Sequence, residues 1–561
     1  MVGKIVGAFN KGISGVHQAA YILAGFTFLS QLLALLRDRL LAHTFGAGST
    51  LDVYYAAFRI PDLVFISAAS IVSVSVLVPI LSSKFERGGK EGARIFLQSL
   101  TTFFLFFIVA VSAILFFLLP YIEPKLFPGF NVEETELLID LSRIMLLSPI
   151  LLGLSNIFGG VNQTFQKFFV YALSPILYNL GIILGIVFLE GRFGIVGVVF
   201  GVVLGSFMHM LIQIPFVANT GLFSFFSLKV RIKEVLGVIA TSLPRTIALG
   251  MTHVLLLVFV AVASTMSEGS ISIFNFSFNI QSVPLGIIGV SYSLAAFPTL
   301  SKLYATGEIE KYVENIINAA KHIIFWSLPI TALFIVLRAQ IVRVVLGSGS
   351  FDWTATRLVA ASLALFVISV VFQSLILLFI RAFYVVGKTK IPLLINTVST
   401  VATIILTGTF LIIFKSSMTF RFFVEEILRV ENVSGTEVLM LPLSFALGSI
   451  LNCFLLIYVF RKNFNFLTKD LFVVFYHSFS AGTVSGFIAY FFLPFFVLIL
   501  DTNTLIGIFL QGLFSGLLGI FFGWILLKIL KNRQLTEIEV ALSSRWKKLT
   551  RVAWSDPDML S

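Results

Sequence analysis

The 561-residue chain is 58% hydrophobic and 12% charged, with a mean hydropathy of +1.02, where a soluble domain carries about 25% charged residues. That much apolar surface excludes a soluble globular fold, and polar stretches of only about 20–30 residues leave little room for an aqueous domain. The formal charge of +12 is accounted for by basic loops on one side of a membrane, so no nucleic-acid partner is called for.

A helix crosses a bilayer with about 20 apolar residues. Residues 1–17 carry Lys4 and Lys11, but the apolar run that follows is too long for a signal peptide and lacks a small-x-small exit. It is therefore expected to remain as the first span. Hydropathy places spans at 18–43, 51–82, 97–120, 136–160, 170–189 and 195–217, then 236–264, 271–300, 322–338, 356–386, 391–414 and 439–460, with a last pair at 471–498 and 505–529. The chain reads as an all-α membrane protein of about fourteen transmembrane helices.

An even number of crossings puts both termini on one side, and the Lys/Arg bias says which. Loops with Lys84, Arg87, Lys90 and Arg94, with Lys229, Arg231 and Lys233, with Lys388 and Lys390, and with Arg461, Lys462 and Lys469 share a face. So does the tail with Lys531, Arg533, Arg545, Lys547, Lys548 and Arg551. Roughly 26 of the 39 Lys+Arg lie there and about 8 opposite, the asymmetry of a cytoplasmic side. Both ends are therefore expected on the cytoplasmic side of a multi-pass membrane protein.

Two motifs recur at nearly one offset. Pro79-Ile-Leu-Ser82 with Gly88 returns as Pro298-Thr-Leu-Ser301 with Gly307, 219 residues on, and Pro175-Ile-Leu-Tyr-Asn179 returns as Pro392-Leu-Leu-Ile-Asn396, 217 on. Six spans separate each pair, so two six-helix lobes run parallel through the membrane, as in many secondary transporters. The expected organisation is a lobe over 1–217, a second over 218–462, a helix pair over 463–530 and a basic cytoplasmic tail over 531–561.

An ionisable group at bilayer depth costs about 2.5–3.5 kcal/mol on insertion scales, so it normally faces protein or a wet cavity. The first span holds Arg37, Asp38 and Arg39, and the second holds Asp52, Arg59 and Asp62 at i, i+7 and i+10, one stripe about 80° wide. Arg245 follows Pro244 in the seventh. One reading is a hydrophilic cavity between the lobes, where planar guanidinium groups grip an anionic head group. The other is local ion pairing near helix ends. Pro61, Pro244, Pro284, Gly286 and Gly289 serve either as bends or as close-packing points.

Catalytic signatures are missing. Cys453 is the single cysteine and lies in an apolar run, and the six histidines, His209 and His253 among them, show no metal-ligand spacing. Gly88-Gly89-Lys90-Glu91 lacks the spacing and hydroxyl of a nucleotide loop. No cofactor is expected, and the energy source would be the membrane potential or an ion gradient, about 2.3 kcal/mol per charge per 100 mV. Asn396, Thr397 and Ser399 offer oxygens for a sodium ion, against the plainer reading of polar helix packing.

The stretch Leu35-Leu36-Arg37-Asp38, Phe45-Gly46-Ala47-Gly48-Ser49-Thr50-Leu51-Asp52 and Ala57-Phe58-Arg59-Ile60-Pro61 resembles the amino-terminal signature of the MurJ/MviN family, the lipid II flippases. Val78-Pro79-Ile80-Leu81, Ser174-Pro175-Ile176-Leu177-Tyr178-Asn179, and Pro284-Leu285-Gly286-Ile287-Ile288-Gly289-Val290 through Phe297-Pro298-Thr299-Leu300-Ser301-Lys302 extend the resemblance over roughly the first 460 residues. It implies a member of the multidrug/oligosaccharidyl-lipid/polysaccharide exporter superfamily that flips an undecaprenyl-diphosphate-linked glycan precursor by alternating access. The last two helices would then form a groove for the lipid tail. Arg37 and Asp38 match the family's Arg-Asp pair, Asp52 its acid and Arg59 a basic position. Gln31, Phe65 and Asn279 stand where the family has further cavity arginines, and Ser282 replaces an acid.

The leading expectation is thus a lipid II flippase whose cavity is lined by Arg37, Asp38, Asp52, Arg59 and Arg245, with Gln31, Arg39, Asp62 and Asn279 around them. The partners would be the lipid-linked precursor, membrane lipids and cell-wall synthesis proteins. The alternatives are a flippase for another polyprenyl-linked oligosaccharide, an exporter of amphipathic molecules, or a transport-dead scaffold for wall synthesis. In the tail, Ile538, Val540, Leu542, Trp546, Leu549 and Val552 among basic residues would lie along the inner membrane surface.

Overall fold

A computed structural model describes residues 16–69, 74–222, 230–464 and 469–540. The amino-terminal segment 1–15, Lys229, and the tail's Leu542, Arg545, Trp546, Lys547, Lys548, Leu549, Arg551 and Val552 lie outside the described residues, as does the side chain of Arg245. Among the described residues there is no strand, because in a bilayer a single helix satisfies all its own backbone groups.

The first half runs α1 (Val16–Phe45), α2 (Ser49–Ala57), α3 (Arg59–Ala69), α4 (Val74–Leu126), α5 (Val132–Met145), α6 (Leu147–Thr164), α7 (Phe168–Leu184), a π-helical turn (Gly185–Leu189), α8 (Glu190–Phe193), α9 (Ile195–Leu211) and α10 (Ile214–Thr220). There follow α11 (Ile232–Ala263), α12 (Ser270–Pro284), a second π-helical turn (Leu285–Val290) and α13 (Ser291–Ala305). The rest comprises α14 (Ile309–Val336), α15 (Arg338–Val345), α16 (Trp353–Val385), α17 (Lys390–Ser416), α18 (Met418–Leu428), α19 (Met440–Phe464), α20 (Lys469–Val497) and α21 (Leu505–Ile529).

Twelve helical stretches among the described residues are long and apolar enough to cross a membrane. One of them, Leu77–Leu126, joins the end of the second expected span to the third, and α1 supplies a 30-residue helix for the first. The count agrees in round terms with the fourteen or so expected. Two local details differ from the sequence reading. The second span is divided at Phe58 into α2 and α3, and the loop expected around Lys84–Arg94 is helical on both sides of one break, at Gly89. Gly89 has φ 61° and ψ −161°, a conformation open to glycine alone.

The described chain forms two compact units, one of residues 1–283, 345–362 and 388–448, the other of 284–344, 363–387 and 449–561. In the first, Phe104 seats its ring directly on Gly153, inside a core that includes Leu77, Phe96, Ile157 and Val161. Helices α7 and α9 meet backbone to backbone. Gly181 and Gly185 face Gly201 and Gly205, a four-residue spacing of small residues that lets two membrane helices approach closely. The repeated asparagines behave alike: Asn179 on α7 reaches Ser30 on α1 (3.3 Å), and Asn396 on α17 reaches the Ala248 carbonyl on α11 (3.4 Å).

In the second unit α14, α20 and α21 pack together. Gly519 and Gly523 of α21 sit against Ser485 of α20, and the Tyr312 hydroxyl on α14 donates to the Ala382 carbonyl at 2.8 Å. Gly205→Leu would drive a side chain into the Tyr178 backbone, and the overpacking is expected to cost at least about 1–3 kcal/mol. Thermal melting of the purified protein in detergent should show the loss, whereas Gly88→Ala, with nothing near its added carbon, should melt like the parent.

Candidate functional site

Three polar residues spaced i, i+3 and i+7 on α12, Ser272, Asn275 and Asn279, lie on one helical face. Each is bonded to a charged residue of the first two spans. Asp52 receives the Ser272 amide (2.7 Å) and hydroxyl (2.6 Å) on Oδ1 and the Gly269 amide (2.8 Å) on Oδ2. Arg59 donates through Nη2 to Asn275 Oδ1. Asp38 Oδ2 accepts from Asn279 Nδ2 at 2.9 Å. The result is a three-rung polar zipper between α12 and the opening helices, within a single compact unit.

The first rung is a helix cap supplied from elsewhere in the chain. The first turn of any helix has amide groups with no intrahelical acceptor, and the helix dipole makes that end attractive to negative charge. Asp52, only 4% exposed, meets both needs of α12. Short contacts surround it. The Ser49 amide donates to Glu268 Oε1 (2.9 Å), the Ser49 hydroxyl to Glu134, the Ser267 hydroxyl to Glu437 Oε1 (2.9 Å) and the Ser350 amide to the His43 carbonyl (2.9 Å). Gly46, Gly269 and Gly349, all at positive φ, let these turns touch, since a side chain at any of them would meet the backbone of Ser350, Ala47 or His43.

The lower rungs differ in how much donor capacity is left. Arg37 is engaged on both sides, giving Nε and Nη2 to Asp38 Oδ1 (3.0 and 2.7 Å) and Nη1 to Asn179 Oδ1 (3.1 Å). Arg59 is buried, 8% exposed, and its Nε–H has no partner. A buried charge with an unmatched donor is costly unless an anion completes it.

The remaining expected residues are placed as follows. Asp62, one turn beyond Arg59 on α3, lines a small cavity with Phe58, Phe65, Ser148, Leu152 and Tyr178. Arg39 points away from Arg37, toward the Val345 carbonyl at 3.5 Å. Gln31 is half-buried on α1, and the Ser282 hydroxyl bonds to its own helix at Asn279. Thr397 does the same at Leu393. Three functional partners escaped sequence reasoning: Asn179, Ser272 and Asn275. Asn179 lay in a quoted motif, and the polar spacing of 272, 275 and 279 was a legible signal.

This arrangement of helices is shared with solved transporters. A lipid II flippase MurJ in an inward closed conformation aligns with a TM-score of 0.68 at 22% identity, over 91% of this chain and 100% of that one. An inward-facing multidrug resistance MATE family transporter of the MOP superfamily gives 0.62 at 17% identity, over 78% and 94%. The fold is therefore the one that these two solved transporters share. Curated relatives narrow it: a lipid II flippase MurJ of Burkholderia cenocepacia is 23% identical over 385 residues, covering 67% of this chain and 75% of the relative. A probable lipid II flippase MurJ of Borreliella burgdorferi is 24% identical over 480, covering 83% and 93%. Residues 41–509 match the family described as Lipid II flippase MurJ, and the chain belongs to that family, one of transporters.

Asp52→Ala would leave the Gly269 and Ser272 amides without their acceptor, a penalty of about 1–3 kcal/mol for each unsatisfied group. Hydrogen exchange is expected to accelerate at 269–275, while Asp52→Asn, which keeps an acceptor oxygen, should fall between alanine and the parent.

Proposed function

We propose that this protein carries a lipid-linked peptidoglycan precursor, lipid II, across the bacterial cytoplasmic membrane by alternating access, with both termini in the cytoplasm and no catalytic step. The observation that carries the reading is Arg59: a buried guanidinium held in place by Asn275 with its Nε–H left over. Such a group is a preorganised donor for a phosphate oxygen. Arg37 is positioned by Asp38 and Asn179 rather than free, so it supplies positive field, and it gains a phosphate only by exchanging those partners. Arg245, on α11, is assigned to the same cluster from sequence.

Asp52 and Asp38 act on geometry. They hold α12 against the opening helices, so breaking these bonds is the natural counterpart of opening one side of the transporter. Residues 1–217 and 218–462 would be the moving lobes, with 463–530 holding the lipid tail and cell-wall synthesis proteins docking outside. Movement of charge down the membrane potential or an ion gradient supplies the energy, since a single charge gains about 2.3 kcal/mol per 100 mV.

One observation favours a second substrate class. Asn279, Gln31 and Phe65 leave the cluster poorer in positive charge than the family pattern, which suits a different polyprenyl-linked oligosaccharide. Both readings are tested in a flippase-depleted bacterium. The parent chain is expected to restore growth, Arg59→Ala to fail and Arg59→Lys, which keeps the charge without the planar fork, to rescue partly. Mass analysis of the lipid that accumulates with Arg59→Ala names the cargo, and full growth of that variant would overturn the role of Arg59.

A further inference from the structure

Beside the α12 zipper, the first unit contains a second set of buried polar groups that the substrate reading does not use. It begins at the small cavity where Asp62 of α3 meets Ser148 of α6 and Tyr178 of α7, among Phe65, Leu152 and Val202. The Ser148 hydroxyl, 7% exposed, has no hydrogen-bond partner. Ser148, Ser155 and Asn162 follow at seven-residue spacing on α6, which keeps them on one stripe drifting only about 20° per step. Val202 and His209 have the same spacing on α9, so the two helices carry the stripe together.

Two turns beyond the cavity the stripe becomes a bonded network. Ser155 Oγ lies 2.7 Å from His209 Nδ1 and 3.0 Å from the His209 carbonyl, and it accepts from Gln213 Nε2. Gln213 Oε1 accepts from Asn162 Nδ2 at 3.4 Å. Ser155, Asn162 and Gln213 are fully buried, and Asn162 Oδ1 has no partner. Ionisable groups such as Asp62 and His209 are expensive within a membrane span and mark ion or proton routes. Both unmatched oxygens stand at the ends of the file.

We infer that Asp62 and His209 are the two titrating stations of a proton path inside this unit, running from the Asp62 cavity through Ser148 and Ser155 to His209, with Gln213 and Asn162 holding Ser155 in place. The inference rests on the transport reading, and it names the coupling ion. A proton is favoured over a metal cation because the cavity offers only Asp62, Ser148 and Tyr178 as polar side chains, too few to replace a hydration shell. Among the described residues no cluster of three or more His, Cys, Asp or Glu is placed to hold a metal.

Each transfer makes and breaks only O–H and N–H bonds. Asp62 becomes neutral as it takes the proton, and His209 becomes cationic until it passes the proton on. Ser148 and Ser155 lie about 10 Å apart along α6, so the path requires water to enter that interval during the transport cycle. The charged and titratable groups turned toward Asp62 are Arg59 on its own helix and Tyr178 on α7, with Arg37 on α1 and His253 on α11 beyond them. Tyr171 on α7, bonded to Gln163, stands against the same part of α6 as Gln213.

The test uses the full chain in liposomes loaded with a pH-sensitive dye, with an inside-negative potential set by potassium and valinomycin and no lipid-linked substrate. The parent should acidify the lumen. Asp62→Asn should abolish the flux and His209→Gln should cut it by about tenfold or more, with both variants confirmed as folded by detergent melting. Ser155→Ala, a smaller change, should slow it less. Flux in Asp62→Asn and His209→Gln equal to the parent, or flux that requires a sodium gradient, overturns the inference. Because this readout needs no substrate, a parent that conducts protons but fails to flip lipid II would defeat the functional reading and leave the proton path standing.

Discussion

A charged side chain inside a membrane protein must find a partner or face water, and in this chain three such groups find theirs on one helix. Asp52, Arg59 and Asp38 are matched in order by Ser272, Asn275 and Asn279. Each rung joins segments more than 200 residues apart in sequence. The burial of the opening helices, the head of α12 and the free edge of Arg59 all follow from that matching. Neutral partners suit a moving part: amides and hydroxyls satisfy a buried charge without the desolvation cost that a second ion would add.

The same three rungs separate roles that one stripe of charge had merged. Asp52 accepts three hydrogen bonds from Gly269 and Ser272 at the head of α12, so it shapes structure. Arg59 retains a donor, which is why the proposed transport cycle gives it the anion. Asp62, one turn beyond Arg59 on α3, has no partner on α12 among the bonds described and lines a small cavity with Ser148 and Tyr178. The glycine seam between α7 and α9 sets the frame for both, since helices in backbone contact have little freedom to slide.

Much of the architecture was legible because hydropathy reports span length directly and the cost of intramembrane charge singles out Arg37, Asp38, Asp52 and Arg59. What sequence hid has physical reasons. Two of Asp52's three donors are backbone amides, which leave no mark in the residue alphabet. The break at Phe58 and the π-helical turn from Leu285 to Val290 fall beside Pro61 and among Pro284, Gly286 and Gly289, residues that offered a bend without saying which way the side chains would turn. His209 read as an isolated histidine because its partner Ser155 lies 54 residues away, although the seven-residue recurrence of Ser148, Ser155 and Asn162 was there to be seen.

The borrowed cap on α12 also bears on how the protein is made. Asp52 leaves the ribosome 217 residues before Gly269, and Arg59 and Asp38 likewise precede Asn275 and Asn279 by 216 and 241. During that interval Asp52 and Arg59 lack the α12 groups that later bond them, so they must stay hydrated or sheltered by the insertion machinery. Biogenesis of this chain therefore waits on its eighth crossing, and a nascent chain stalled before that point would be a poor lipid-embedded intermediate and a ready target for quality control.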